Sequence, residues 1–563
     1  MKKEYVMGNS AIAIGALCSG VRFASGYPGT PSSEIIETIH RMPHEGVYLE
    51  WSVNEKVALE VAASAACSGA RAIVTMKQVG LNVASDPLMS LAYLGVKGGF
   101  VVIVADDPGP ISSQTEQDTR TFASFCRIPV FDPASPEQAF LMIQDAFALS
   151  EQYHTPVILR PTTRVCHGYM AIEYDENYRP VNGEGFIRDP SKWVIFPKLS
   201  YQNHIAIEKR NETLRDVLSD YRFNRVEGTH GAAQRKAVIA SGISYAYAKE
   251  CLGADPEIPL AQVAVSFPAP EKFLAEFLRQ FDSVLCLEEL SPFVEEEVLK
   301  IAGRYGLKLE VKGRYSHTVP FAGELNVFMV RQILDDFLAV KPSNSIAFTS
   351  EVPASLPVRP PVLCAGCPHR GAFYAVKVAT RRKKTYLCGD IGCYTLGNAK
   401  PLEMVDTCLC MGAGITMAHG FSHLDMDGIS FAFIGDSTFF ASGLTGVVNA
   451  VYNEADIIIC ILDNSTTAMT GHQPHPGTGT TLMGRTAPGL NIEQVLKGLG
   501  VPLVVTADPL DFKAAVSAVR TCMKAQGVRA VIFRSPCATQ VKSSCRCRIG
   551  DKCNDCRICI TQL

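Results

Sequence analysis

The chain has 563 residues, 47% of them hydrophobic and 19% charged, with a net charge of -3 at pH 7. These proportions belong to a globular protein with several cores and exclude a disordered chain. Acidic and basic residues nearly balance, which leaves neither the basic stripe of a nucleic-acid binder nor the single-sign field of a membrane-surface binder.

Lys2 and Lys3 precede an apolar stretch over 11–17, but Glu4 and the polar Gly8-Asn9-Ser10 interrupt it, and no cleavage site follows. The expectation is a cytoplasmic protein without a signal peptide. Apolar runs such as 100–105 and 457–462 are far shorter than the roughly 20 residues of a membrane span and read as buried strands. Twenty cysteines in such a chain read as reduced thiols, some of them metal ligands, rather than as a disulfide framework.

From residue 8 to about 160 the pattern alternates. It predicts a helix over 11–19, a turn at Gly26-Tyr27-Pro28-Gly29-Thr30-Pro31, helices over 32–41 and 55–68, and strands over 72–76 and 99–105. Such alternation predicts a parallel sheet with helices on both faces. Residues 165–233 are more polar and read as a long connection, helical around 203–221. Strand and helix alternate again from 236 to about 340, and the proline-rich 352–361 reads as a linker.

Next comes a run of strand, turn, helix and strand. A strand over 429–434 ends in Gly435-Asp436-Ser437, a helix spans 441–453, and a second strand over 456–462 ends in Asp463-Asn464. Parallel strands open at one carboxyl edge, so a carboxylate and an amide oxygen from two tips can reach one ion there. Hard oxygen donors suit Mg²⁺ held against phosphate. The competing reading is two turn residues that merely cap strands.

A Gly-Asp-Ser followed roughly thirty residues on by Asp-Asn, at the tips of two strands of one sheet, resembles the thiamine diphosphate signature of the thiamine-dependent enzymes. That coenzyme needs a buried carboxyl group on its aminopyrimidine ring. Glu55 opens a helix rich in alanine, as the acidic residue of the pyrimidine-binding motif does, with Glu60 as runner-up. The plainer reading of Glu55 is a favourable contact with the helix dipole.

Nearly the whole chain resembles the α subunits of indolepyruvate:ferredoxin oxidoreductases, within the 2-oxoacid:ferredoxin oxidoreductase family. The motifs are Gly26-Tyr27-Pro28-Gly29-Thr30-Pro31, Cys364-Ala365-Gly366-Cys367-Pro368-His369-Arg370, Gly389-Asp390-Ile391-Gly392-Cys393-Tyr394 and Gly435-Asp436-Ser437. The resemblance implies an α/β fold of several doubly wound parallel-sheet domains with a short cysteine-rich, ferredoxin-like tail. The expected domains are 1–180, pyrimidine-binding; 181–233, a connection; 234–345, a small α/β middle domain; 355–540, binding diphosphate and Mg²⁺; and 541–563, an iron–sulfur tail.

By the same likeness, Glu55 activates the coenzyme and Thr30 lies near the substrate. Gly435, Asp436, Ser437, Asn464 and Thr466 form the cofactor cradle, with Asp436, the Asn464 side chain and the Thr466 carbonyl on Mg²⁺. His369, His472 and His475 are candidate proton carriers, although a lone histidine is more often a satisfied structural one.

Oxidising a decarboxylated 2-oxoacid to an acyl group releases two electrons, and ferredoxins accept them singly, so an iron–sulfur relay is expected. Cys553-x-x-Cys556-x-x-Cys559 matches the opening of a bacterial ferredoxin motif and predicts a [4Fe-4S] cluster, with a zinc knuckle as rival. The family's tail continues into an eight-cysteine module, whereas this sequence ends at Leu563. Either Cys547 or Cys545 completes the site, or the tail holds an incomplete cluster.

Cys364, Cys367, Cys393 and Cys537 resemble the ligands of the cluster nearest the coenzyme, against the reading that they are inert buried thiols. The implied reaction is oxidative decarboxylation of an aryl 2-oxoacid, foremost indolepyruvate, with coenzyme A and ferredoxin. The implied assembly is α2β2 with a smaller β subunit. The rivals are a non-oxidative thiamine-dependent decarboxylase or carboligase, and a cofactor-free subunit that has kept only the fold.

Overall fold

The structure, a computed structural model, describes residues 1–228, 235–253, 256–339, 357, 359–424, 427–541 and 549–557. It divides into two compact units, Met1–Thr349 and Ser350–Leu563.

In the first unit a seven-stranded sheet runs in the order Val265–Phe267, Val130–Phe131, Val157–Leu159, Phe100–Ala105, Ala72–Lys77, Phe23–Gly26, Tyr48–Trp51. Its pairs are parallel except for the first, which is antiparallel. Every residue of Phe100–Ala105 is buried, because helices cover both faces of a parallel sheet and leave no strand residue facing water. The strand Val265–Phe267 comes from the later part of the unit, so the two α/β halves share a sheet edge.

The second half carries its own sheet, Glu310–Lys312, Ser283–Leu287, Lys236–Ser241, Leu260–Val263 and Arg225–Glu227. Between the halves lies a buried ion network: Arg120 pairs with Asp118 (2.7 Å) and Glu288 (2.8 Å), and Arg160 with Asp106 (2.6 Å) and Asp132 (3.1 Å). Burying so many charges is tolerable only because each guanidinium meets carboxylates directly.

The connection is less irregular than its composition suggests. Tyr169–Tyr174 pairs antiparallel with Lys2–Met7, and a helix runs over Pro197–Ser219, starting earlier than 203 because Pro197 suits the first helical turn.

The second unit is a five-stranded parallel sheet in the order Thr385–Cys388, Ile429–Gly435, Ile457–Asp463, Val528–Arg534, Leu503–Ala507. All seven residues of the central strand Ile457–Asp463 are buried. The helix expected over 441–453 instead begins at Asp436, passes through a π-helical turn at Phe439–Gly443 and continues as Leu444–Tyr452.

The expected class, several parallel-sheet α/β domains, is what the chain adopts. No helix among the described residues is long and apolar enough to cross a membrane. Cys545, Cys547 and Cys559 lie outside the described residues; Cys553 and Cys556 are exposed.

Candidate active site

The strands Ile429–Gly435 and Ile457–Asp463 pair in parallel with Gly435 opposite Leu462, so their carboxyl ends finish side by side. Asp436 is 3% exposed and Asn464 7%. The tips are tied together: the Ser465 N–H donates to Asp436 Oδ2 (2.7 Å), and the Ser437 N–H donates to Asp436 Oδ1 (2.9 Å). Ser465 has φ +58°, a left-handed conformation that a non-glycine residue adopts at a cost and that recurs at functional turns. That turn lets Asn464 Oδ1 accept the Thr466 N–H (3.2 Å).

His475 Nε2 stands 3.1 Å from Asp436 Oδ2. Burial pushes the Asp436 carboxyl up, and His475 pulls it back. The sequence marks His475 only as a candidate proton carrier or a structural histidine and gives no sign of this contact, since the histidine arrives from a loop without periodicity. A cavity of about 350 Å³ opens against Ser465 and Thr466, with Thr478, Thr480 and Gln540 in its wall. Buried oxygen donors at a strand edge, beside a hydroxyl-lined cavity, fit a divalent ion held with phosphate oxygens.

A second buried acid, Asp390 of the Gly389-Asp390-Ile391-Gly392 motif, organises the neighbouring loop. Asp390 Oδ2 accepts the Gly412 N–H (2.7 Å) and Oδ1 the Ile391 N–H (2.7 Å). Gly412 has φ +87°, where a side chain would be strained. Burial pushes the Asp390 carboxyl up to about 7.

The cysteines of the second unit also draw together. Cys367 stands at the N-cap of the helix Pro368–Ala379, its backbone carbonyl accepting the Arg370 N–H (3.0 Å). Burial, followed by the nearby Cys367, Cys537 and Cys364 thiols, pushes the Cys393 thiol up to about 11. Cys367 in turn feels Cys364 and Cys537. Thiols from three separate loops thus lie close enough to bear on Cys367 and Cys393.

Among the described residues no three His, Cys, Asp or Glu side chains are arranged to hold one metal ion. Next to Cys393, the Tyr394 ring covers Gly435, where a Cβ would stand 2.5 Å from it, and its hydroxyl meets Thr438 Oγ1 (3.0 Å). One aromatic side chain thus joins the cysteine loop to the Asp436 strand tip.

In the first unit Asn54 caps the helix Glu55–Cys67, its side chain accepting the Val57 N–H (2.9 Å). Ala58, Ala62 and Ala66, four apart, give that helix a small, fully buried face. Glu55 is 8% exposed, and burial pushes its carboxyl up to about 7 while the Lys77 charge pulls it down. Glu60, the runner-up, is exposed and paired with Lys56. Thr30 is half-buried in its turn, its carbonyl accepting Ser112 Oγ (3.2 Å).

The family described as "Thiamine pyrophosphate enzyme, C-terminal TPP binding domain" matches residues 390–533, and "Pyruvate flavodoxin/ferredoxin oxidoreductase, thiamine diP-bdg" matches 14–184. The chain is 40% identical to "Indolepyruvate oxidoreductase subunit IorA" of Thermococcus kodakarensis, over 99% of this chain and 91% of that one. This chain belongs to the IorA family. Further IorA relatives from Archaeoglobus fulgidus and Methanothermobacter thermautotrophicus are each 40% identical, covering 95% and 100% of this chain and 87% and 91% of theirs. As an IorA family member with both thiamine-binding domains, the chain is a subunit of a thiamine diphosphate-dependent 2-oxoacid:ferredoxin oxidoreductase.

Proposed function

We propose that the chain catalyses oxidative decarboxylation of aryl 2-oxoacids, foremost indolepyruvate, forming acyl-CoA and CO₂ and passing electrons through iron–sulfur clusters to ferredoxin. The substrate follows the IorA relatives, whose name specifies indolepyruvate.

When bound, thiamine diphosphate supplies the carbon nucleophile. Asp436, the Asn464 side chain and the Thr466 carbonyl hold Mg²⁺ against the diphosphate, with Gly435 and Ser437 in the cradle. Glu55 is the acid that hydrogen-bonds the aminopyrimidine, and its burial keeps a proton available near neutral pH. Thr30 borders the substrate. Cys364, Cys367, Cys393 and Cys537 hold one cluster, and Cys553, Cys556 and Cys559 with Cys547 hold another. A smaller β subunit completes an α2β2 assembly, in keeping with relatives named as subunits.

The observation that carries the oxidative reading is that Cys364, Cys367, Cys393 and Cys537 gather from three separate loops. A non-oxidative decarboxylase or carboligase has no use for such a gathering of thiols. Anaerobic purification followed by iron, sulfide and thiamine assays on one sample tests the reading. All three are expected in a brown protein that bleaches with dithionite; thiamine in a colourless, iron-free protein would favour the non-oxidative alternative.

A further inference from the structure

The first unit holds a cation that the reading above leaves without a role. Lys77 ends the strand Ala72–Lys77 and precedes the 17-residue helix Gln78–Leu94. Its stem packs on Gly29, where a Cβ would stand 3.2 Å from it, and its Nζ donates to the Ser112 carbonyl (3.0 Å). Ser112 Oγ in turn donates to the Thr30 carbonyl (3.2 Å), so the ammonium is one residue removed from the turn that borders the substrate.

Among the described residues Lys77 forms no ion pair, and its only hydrogen bond is to that neutral carbonyl. Asp107 and Glu55 both feel its charge, yet neither pairs with it directly. Asp107 is taken up by the Ser112 N–H (2.8 Å) and the hydroxyls of Ser113 (2.8 Å) and Thr163 (2.7 Å), and Glu55 is buried as a proton-holding acid. Two of the three ammonium donors have no assigned acceptor.

Beside Lys77, Gln78 is 2% exposed, with Oε1 unpartnered and Nε2 donating to the Thr115 carbonyl (3.2 Å). Its amide therefore already points at the loop that carries Ser112, with acceptor capacity unused. A half-buried cation without a direct ion pair is costly unless an anion completes it, and the start of a long helix adds dipoles of the same sign. Asp118 and Arg120 belong to the interior ion network and are not available to it.

We propose that Lys77 binds the carboxylate of the 2-oxoacid and holds it against the Thr30 turn. The inference rests on the functional reading above and names the residue that receives the charged end of the substrate. A charge-assisted hydrogen bond orients the carboxylate that the reaction releases as CO₂, while the aryl group is left to other side chains.

The test compares wild-type holoenzyme with Lys77→Met and Lys77→Arg. It measures KM and kcat for phenylpyruvate, and Ki for phenylacetone, the same aryl ketone with a methyl group in place of the carboxylate. Lys77→Met is expected to raise KM about ten- to a hundredfold with kcat less affected, leaving Ki and thiamine content as in wild type. Lys77→Arg is expected to restore most of the affinity. An unchanged KM in Lys77→Met, or KM and Ki rising in the same proportion, would overturn the inference and leave Lys77 as a strut for the 107–117 loop. Wild-type holoenzyme that turns over no 2-oxoacid would instead overturn the functional reading, and the inference with it.

Discussion

The Glu55 carboxylate occupies the space that a side chain on residue 80 would need: a Cβ on Gly80 would stand 2.5 Å from Glu55 Oε1 and 2.8 Å from its Cγ. The two residues come from adjacent helices, Glu55–Cys67 and Gln78–Leu94, brought close by the alanine face of the first. Gly80→Ala should therefore displace the acid. Overpacking of this kind costs about 1–3 kcal/mol of stability, and loss of a positioned proton-transfer group costs about 10²–10⁴ in rate. The expected variant is folded, retains its iron, and is at least a hundredfold slower in steady-state assays. Wild-type turnover would move the activating acid elsewhere.

Glu55 also makes stability depend on pH. Its carboxyl is raised from 4.5 to about 7, so the folded apoprotein binds a proton that the unfolded chain releases between those values. Folding is relieved of the cost of burying a charge below pH 4.5, and that relief is lost as pH rises through 7. At roughly 1.4 kcal/mol per pKa unit the difference reaches about 3 kcal/mol. Glu55→Gln, which stays neutral, should melt above the wild-type apoprotein at pH 8, with the gap closing at pH 4. Parallel melting curves at both pH values would show that the carboxyl is not desolvated.

Asp436→Ala removes a charged oxygen donor from the joined strand tips. Outer-shell partners of bound metals already contribute about 10–100-fold in affinity, so loss of a direct ligand should exceed that. Calorimetry should find thiamine diphosphate binding weakened more than a hundredfold in Asp436→Ala, and in wild type when Mg²⁺ is chelated. Binding that ignores both changes would remove Asp436 from the metal site.

Cys393→Ser tests the thiol quartet separately from the tail. Holoenzyme with this substitution should lose about four irons and four sulfides per chain while keeping its thiamine. Unchanged iron would mean that the four thiols are packing residues.

The parallel α/β architecture and the paired strand tips were legible because fully buried strands and their turn residues are local signals. That Glu55 opens an alanine-rich helix was legible too, and the structure buries it there. The partners of these residues were not: His475 on Asp436, Gly80 beneath Glu55 and Lys77 beside Thr30 all meet across gaps in sequence that no periodicity encodes. The strand Lys2–Met7 also escaped notice, since its partner, Tyr169–Tyr174, lies in a segment whose polar composition reads as connection. Asp390 looked like one letter of a motif, and only its burial against the Gly412 turn explains its role.

Substrate-driven reduction of the protein's own clusters tests the central claim most directly. Anaerobic holoenzyme, mixed with indolepyruvate in the absence of ferredoxin and any added reductant, is followed by visible absorbance. Wild type should bleach and Glu55→Gln should keep its colour, although dithionite bleaches both. Equal bleaching of the two proteins, or no response of an iron-loaded wild type to any aryl 2-oxoacid, would contradict the account.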